Sequence, residues 1–364
     1  MSLAESAHPL CDFRPSARAA DLESKLDKAL ACLRLSCDAV TDLINQTLIS
    51  IDPRAIPRDC SVPFDLFMVT LNDPGPVQIP AGRIFDAAAL DQILTDQHRL
   101  LMRAVDRRTC YTFLEEHLTA VELNALPASE RLNRIHEVMR MDLEQTFQTK
   151  ATEDILRIVR RWAPILVDTM FGQSIPLVEL TSLLRHDAEH PTHVCKVAVY
   201  LCRFAEIVGV QRDQMVELVT GAMVCDIGNL DVPDYILSKT TALNSAEMAV
   251  VQKHVVNSLD RLSQVPGITR DQLRLAIEHH ERIDGSGYPI GVPGNLIHPW
   301  AKLLAIVDVF AALTSKRPYR PAFARSKALT IMGQHADKLY DLESFRCWNS
   351  INQDVEMLQP MLSI

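Results

Sequence analysis

The run His279-His280-Glu281-Arg282-Ile283-Asp284-Gly285-Ser286-Gly287-Tyr288-Pro289 sets two adjacent imidazoles ahead of an acidic, glycine-punctuated loop. Adjacent residues on a helix project about 100° apart, so both rings can serve one metal cluster only where the helix ends or where ions lie between its faces. The run points to a metal site beside a phosphate pocket. Further imidazoles and carboxylates recur at His193, Asp226, His254 and Asp308, each beside a helical apolar stripe. The stripes read Val194, Val197, Ala198, Leu201; then Val219, Ala222, Met223; then Val251, Val255; then Leu303, Leu304, Val307, Ala311. A histidine or aspartate turned toward a core is costly unless it is paired or bound to metal. A helical bundle can aim such side chains from several helices at one internal point, and several coincident costs favour a metal centre.

The elements that must position these groups follow from periodicity and punctuation. Residues 1–18 lack a repeat and are expected to form a mobile tail. Over 20–48, Leu26, Leu30, Leu33, Cys37, Val40 and Ile44 alternate steps of four and three, the seam of a coiled coil. Such a helix could lie on its own domain or form the seam of a homodimer. Short strand-like runs such as Phe64–Val69, with a turn at Asp73-Pro74-Gly75-Pro76, predict a small α/β module. A regulatory or partner-binding role for it rests on its position, and scaffolding is the simpler alternative. From about Pro127 the pattern is helical, with a connecting helix over 152–170. Asn244 and Glu247 form a capping box before the helix that carries His254, which is expected well inside it. The fold class is therefore mainly α: a carboxy-terminal all-α bundle preceded by a small α/β module. The expected divisions are 1–18 tail, 19–125 module with its amino-terminal helix, 126–175 helical connector and 176–364 all-α domain.

With 364 residues, 48% of them hydrophobic, the length suggests two domains and supports at least one large core. A net charge of −9 argues against bulk nucleic-acid binding, so a polyanionic ligand must be drawn by local cations or metals. The nine cysteines include no Cys-x-x-Cys pair and read as reduced thiols. No apolar run reaches the roughly 18 residues of a membrane span, and no basic-then-apolar leader opens the chain. A cytoplasmic protein is the expectation.

Taken together, these residues resemble the HD-GYP family of cyclic di-GMP phosphodiesterases, within the HD metal-dependent phosphohydrolases; the resemblance spans about Glu189 to Arg320. It implies metal ligation by His193, Asp226, His254, His279, His280 and Asp308, with Glu189 available to a third ion. Asp284, Gly285, Gly287, Tyr288 and Pro289 match the signature loop, a possible contact for signalling partners. Arg317 and Arg320, in Arg317-Pro318-Tyr319-Arg320, match cationic positions that hold the phosphates or a guanine of cyclic di-GMP. Two or three ions, iron or manganese, are the implied cofactors. The implied reaction is in-line attack on phosphorus by a hydroxide bridging two ions held by Asp226. The module before the bundle also faintly resembles the small domain that precedes HD-GYP in some members. The literal His186-Asp187 pair lies upstream of the ligand series and is expected to be an approach-loop pair. His298, before Pro299, is expected at the surface.

This chain departs from the family pattern at Cys225, where a histidine ligand stands in the family, and at Asn229, where a lysine stands; Ala311 replaces a common aspartate. A thiolate at Cys225 can bind iron or zinc but would weaken the Lewis acidity felt by a bridging water. The alternative is a small buried hydrophobe with one ligand lost. Asn229 removes a charge from the catalytic site, at a cost on the order of 2 to 4 kcal/mol. Two functions follow: a metal-dependent phosphodiesterase of reduced activity, or a degenerate domain that binds cyclic di-GMP or a protein without hydrolysis. A third is hydrolysis of a different phosphoester, since the centre itself does not read a base.

Overall fold

The computed structural model of the protein describes residues 48–70, 75–96, 98–173, 175–184, 190–317 and 320–353. The expected tail, the His186-Asp187 pair and Glu189 lie outside these residues, as does the expected 20–48 helix except for Leu48, which opens a strand.

The first part of the described chain is an antiparallel sheet of β1 (Leu48–Ile51), β2 (Leu66–Val69), β3 (Val77–Ile79) and β4 (Arg99–Arg103), in the order β1-β4-β2-β3. Strand β4 reads Arg-Leu-Leu-Met-Arg because it lies between two neighbours. Leu100, Leu101 and Met102 are buried while the flanking arginines reach water. Helices α1 (Ala87–Thr95) and α2 (Arg107–Glu116) accompany the sheet, and Phe64 meets Phe113 edge-on at 6.1 Å between ring centres.

After the short α3 (Ala120–Asn124), the long α4 (Ala128–Phe147) and α5 (Thr152–Met170) pack together as a pair; α5 covers the residues expected of the connecting helix. Helix α4 also packs against α2 and against α7 (His190–Ile207), so it joins the sheet module to the helices that follow. Its half-buried Arg140 lies between the buried Glu137 at 2.7 Å and Glu144 at 3.1 Å, and Glu144 takes a further 2.5 Å contact from Arg107 of α2. Removing one member of a buried ionic group leaves charge that the apolar surroundings cannot solvate. Arg140→Ala is therefore expected to destabilise the protein by about 3 kcal/mol, read by denaturant unfolding. A change below about 1 kcal/mol would place the network among weakly contributing surface pairs.

The remaining described elements are helical: α6 (Leu177–Leu183), α7, α8 (Arg212–Val224), a 3-10 turn over Ile227–Asp231, α9 (Asp234–Leu237), α10 (Ser245–Gln252), α11 (His254–Ser263), α12 (Arg270–Glu278), α13 (Pro299–Leu313), α14 (Arg325–Gly333), α15 (Ala336–Leu339) and α16 (Leu342–Asn352). Tyr200 of α7, Phe310 of α13 and Trp348 of α16 meet edge-on with centres 5.2 to 6.1 Å apart and tie these helices into one core. Among the described residues, no helix is long and apolar enough to cross a membrane.

Two local expectations need correction. The capping box of Asn244 and Glu247 is formed, but α10 ends at Gln252 and His254 begins the next helix instead of sitting within one. The His254 ring bonds the Val251 carbonyl at 2.7 Å, a side-chain competitor for the backbone ladder at the break. His298 is half-buried, not at the surface: its Nδ1 accepts from the Trp300 N–H and caps α13.

Candidate metal centre

Five elements contribute to one internal point. His193 comes from the first turn of α7, Asp226 from the junction after α8, and His254 from the start of α11. His279 and His280 follow the last turn of α12, and Asp308 lies within α13. Ligand atoms of Asp226, His254, His279 and His280 all lie within 4.8 Å of one another, and those of His193, Asp226 and Asp308 do the same. Asp226 belongs to both groups, so it is the residue that ions held by either group would have in common.

The adjacent histidines can share this point because α12 stops at Glu278, leaving His279 as its cap and His280 beyond. Close packing brings Asp226 and His254 together. A Cβ on Gly228 would lie 2.1 Å from the His254 carbonyl and 2.5 Å from the Ser258 nitrogen, so only glycine lets the 3-10 turn approach α11 this closely. The Gly228 N–H donates to the buried Ser258 hydroxyl at 2.8 Å and fixes that approach.

The ring orientations suit a metal. Backbone carbonyls take Nδ1 of His254 (Val251) and of His279 (Leu275 and Ala276), which fixes the proton there and leaves Nε2 as the lone pair. Those Nε2 atoms face Asp226 Oδ1 at 3.1 and 3.4 Å, yet all three buried atoms lack hydrogen-bond geometry to any partner. Buried polar atoms in native proteins seldom stay unsatisfied, and a cation between them would satisfy all three. His193 Nε2 lies 2.8 Å from Asp308 Oδ1.

Charge states agree with a ligand role. Burial would raise the Asp226 carboxyl, but His254 and His279 outweigh it and hold it well below the usual range. Asp308 is likewise held down by His193 against the effect of burial. Burial, aided by the neighbouring His279, pushes His280 down to about 3, so this imidazole keeps its lone pair at neutral pH.

The glycine loop is wired to the histidine pair by a residue that the sequence reading passed over. Glu281 is buried, and its carboxylate accepts the N–H groups of Ile290, Gly291 and Val292 at 2.9 to 3.1 Å. Tyr288 stacks on the His280 ring with centres 4.7 Å apart, and its N–H reaches the His280 carbonyl. A Cβ on Gly287 would lie 2.4 Å from the Arg282 nitrogen, so the loop can fold back only over glycine. Asp284 accepts from Ser286 while Gly285 bonds back to Arg282; Pro289 follows a cis bond and is exposed. Glu281→Ala is expected to cut metal affinity 10-fold or more, because groups that hold ligands in place are worth about 10- to 100-fold. A metal titration reads this directly, and unchanged affinity would separate the loop from the centre.

Other expected site residues are placed differently. The buried Cys225 lies outside both ligand groups, and its thiol donates to the Ala222 carbonyl at 3.1 Å. Burial, then Asp226 and Asp308, push that thiol well up, which favours its protonated form. Asn229 is half-buried one turn past Asp226, its N–H donating to the Asp226 carbonyl. The Arg320 guanidinium bonds the carbonyls of Ala312 and Leu313 at the end of α13, at 2.9 and 3.1 Å, a helix-capping role. Arg317 bridges Arg320 through the backbone, and its guanidinium has no hydrogen bond or ion pair among the described residues.

The HD domain family profile matches residues 179–343. A 3'3'-cGAMP-specific phosphodiesterase 3 of Vibrio cholerae is 35% identical over 162 residues, 44% of this chain and 35% of that protein. The cyclic di-GMP phosphodiesterase response regulator RpfG of Xanthomonas campestris is 34% identical over 144 residues, 38% of this chain and 36% of that one. The chain thus spans about a third of the length of these relatives. The solved structure of Bd1817, an HDG"Y"P protein from Bdellovibrio bacteriovorus, superposes with a TM-score of 0.60 at 15% identity, covering 84% of this chain and all of that one. At that identity the likeness establishes the fold alone. Residues 179–343, which carry the paired histidines and the Gly-Tyr-Pro loop, are thus similar to the HD domain family.

Proposed function

We propose that this chain is a metal-dependent phosphodiesterase of cyclic dinucleotides, with cyclic di-GMP as substrate and reduced activity. The observation that carries the reading is the shared Asp226 carboxylate, faced by the unsatisfied Nε2 atoms of His254 and His279 on one side and grouped with His193 and Asp308 on the other. His254, His279, His280 and Asp226 would hold one ion; His193, Asp226 and Asp308 would hold a second, with Glu189 as the candidate for a third. Bound iron or manganese would supply Lewis acidity at phosphorus and an activated water. The chain's own part is to fix the imidazole tautomers through backbone carbonyls, to keep His280 neutral and Asp226 ionised, and to shelter the centre beneath Tyr288.

Reduced activity follows from Cys225 and Asn229, which offer no imidazole and no cation where the family has both. The relatives' names include both cyclic di-GMP and 3'3'-cGAMP, so both belong in the assay. Six described cysteines are unpaired, which suits a reducing compartment, and we assign the protein to the cytoplasm. Exposed Pro289 and Ile290 at the end of the signature loop are the points where a protein partner could dock. The test is elemental analysis of protein expressed with iron or manganese, together with turnover of each dinucleotide. At least two ions per chain and metal-dependent release of linear product are expected. Metal-free protein that binds the dinucleotide without hydrolysis would favour the receptor reading instead.

A further inference from the structure

Lys196 is the single cation in the apolar run Val194–Cys202 of α7, one helical turn past His193. It is only 3% exposed. Its ammonium donates to the Ser315 hydroxyl at 3.0 Å and to the Thr314 carbonyl at 3.4 Å, and the Ser315 hydroxyl in turn donates to the Ala311 carbonyl at 2.7 Å. Both partners are neutral, and no carboxylate among the described residues pairs with this lysine. Burial, with the nearby Arg317 charge, pushes it down to about 8. Arg317, two residues past Ser315, also lacks a carboxylate among the described residues. Two cations therefore share one end of α13 with no counter-ion among the described residues, a costly arrangement beside ion pairs such as that of Arg140 with Glu137. Arg320 does not relieve it, because its guanidinium is taken up by the α13 carbonyls.

We propose that Lys196 is a positioning residue for the ligand's second phosphate, the one that is not hydrolysed. It acts through Ser315 and the turn that presents Arg317, and the anion missing from this cationic pair is supplied by the ligand. The assignment rests on the phosphodiesterase reading and deepens it, because it calls for a substrate with two phosphates instead of a simple diester. It also supplies a positive charge beyond the metal centre in a chain that has Asn229 in place of lysine.

The test compares native protein with Lys196→Met and Lys196→Arg, all loaded with metal, on cyclic di-GMP and on bis(p-nitrophenyl) phosphate, which has only the scissile phosphate. Lys196→Met is expected to raise KM for cyclic di-GMP about 10-fold while kcat stays within about threefold, and to leave the simple diester unaffected. Lys196→Arg should restore KM to within about threefold of native, since it keeps the charge. Metal content should not change, and the Met variant should melt no lower than native, because it replaces a buried unpaired charge with an apolar chain of similar length. Equal losses on both substrates, or a Met variant that melts well below native, would make Lys196 a structural strut and overturn the assignment. So would kinetics on cyclic di-GMP indistinguishable from native. Native protein that neither binds nor hydrolyses cyclic di-GMP, as read by calorimetry and turnover, overturns the functional reading and the assignment together.

Discussion

Asp226→Ala is expected to lower hydrolysis of cyclic di-GMP by at least about three decades and to reduce bound metal to less than one ion per chain. The magnitude follows from its position. Asp226 alone is common to both ligand groups, so its loss takes a donor from each, whereas loss of His193 or His280 weakens one. The carboxylate is held ionised by His254 and His279, whose Nε2 atoms face it at 3.1 and 3.4 Å. Without it, those rings keep their backbone tethers to Val251, Leu275 and Ala276, so the helices should stay in place and the damage should remain electrostatic. Turnover, elemental analysis and a thermal melt on one preparation separate these effects. A folded Asp226→Ala protein that keeps two ions and most of its rate would show that the bridge lies elsewhere.

The parts of this site that were legible in the sequence are those whose chemistry is expensive to bury. His193, Asp226, His254 and Asp308 stand out because each lies beside an apolar stripe, where a carboxylate or imidazole facing a core must be compensated, and His279 and His280 because they are adjacent imidazoles ahead of a glycine-punctuated loop. The connecting helix α5 was equally legible, because its amphipathic repeat runs over its full length. What stayed hidden was what depends on partners distant in sequence. The order β1-β4-β2-β3 is set by non-local pairing that no strand's own residues specify. Glu281 reads as one more charge in a polar run, and only the folded loop reveals that it collects the three N–H groups of Ile290, Gly291 and Val292. Lys196 did carry a signal, a lone cation among buried neighbours from Val194 to Cys202, but its lack of a counter-ion is a fact of three dimensions. The same holds for Arg320, whose motif suggests a ligand contact while its guanidinium is engaged with the end of α13.

The second large effect is a gain. Cys225→His combined with Asn229→Lys is expected to raise the hydrolysis rate about 100-fold, near the lower end of the two to three decades that one well-placed electrostatic contact provides. Cys225 precedes Asp226, yet its thiol points to the Ala222 carbonyl and falls outside both ligand groups. An imidazole there is longer than the thiol and offers a lone-pair nitrogen on the residue next to Asp226. Asn229 lies one turn from Asp226 and is half-buried, so a longer lysine there would bring a cation near Asp226 without replacing a fully buried side chain. The histidine has a cost. Its neighbours Met223 and Val224 are fully buried, and overpacking such a site costs about 1 to 3 kcal/mol, so the double variant should melt below native while turning over faster. The single variants divide the effect: Asn229→Lys should mainly raise kcat at unchanged metal content, and Cys225→His should mainly raise metal affinity. A double variant shown to be folded and to carry two ions, yet no faster than native, would mean that neither substitution limits the rate. The restraint would then lie with the substrate contacts around Arg317 and Lys196.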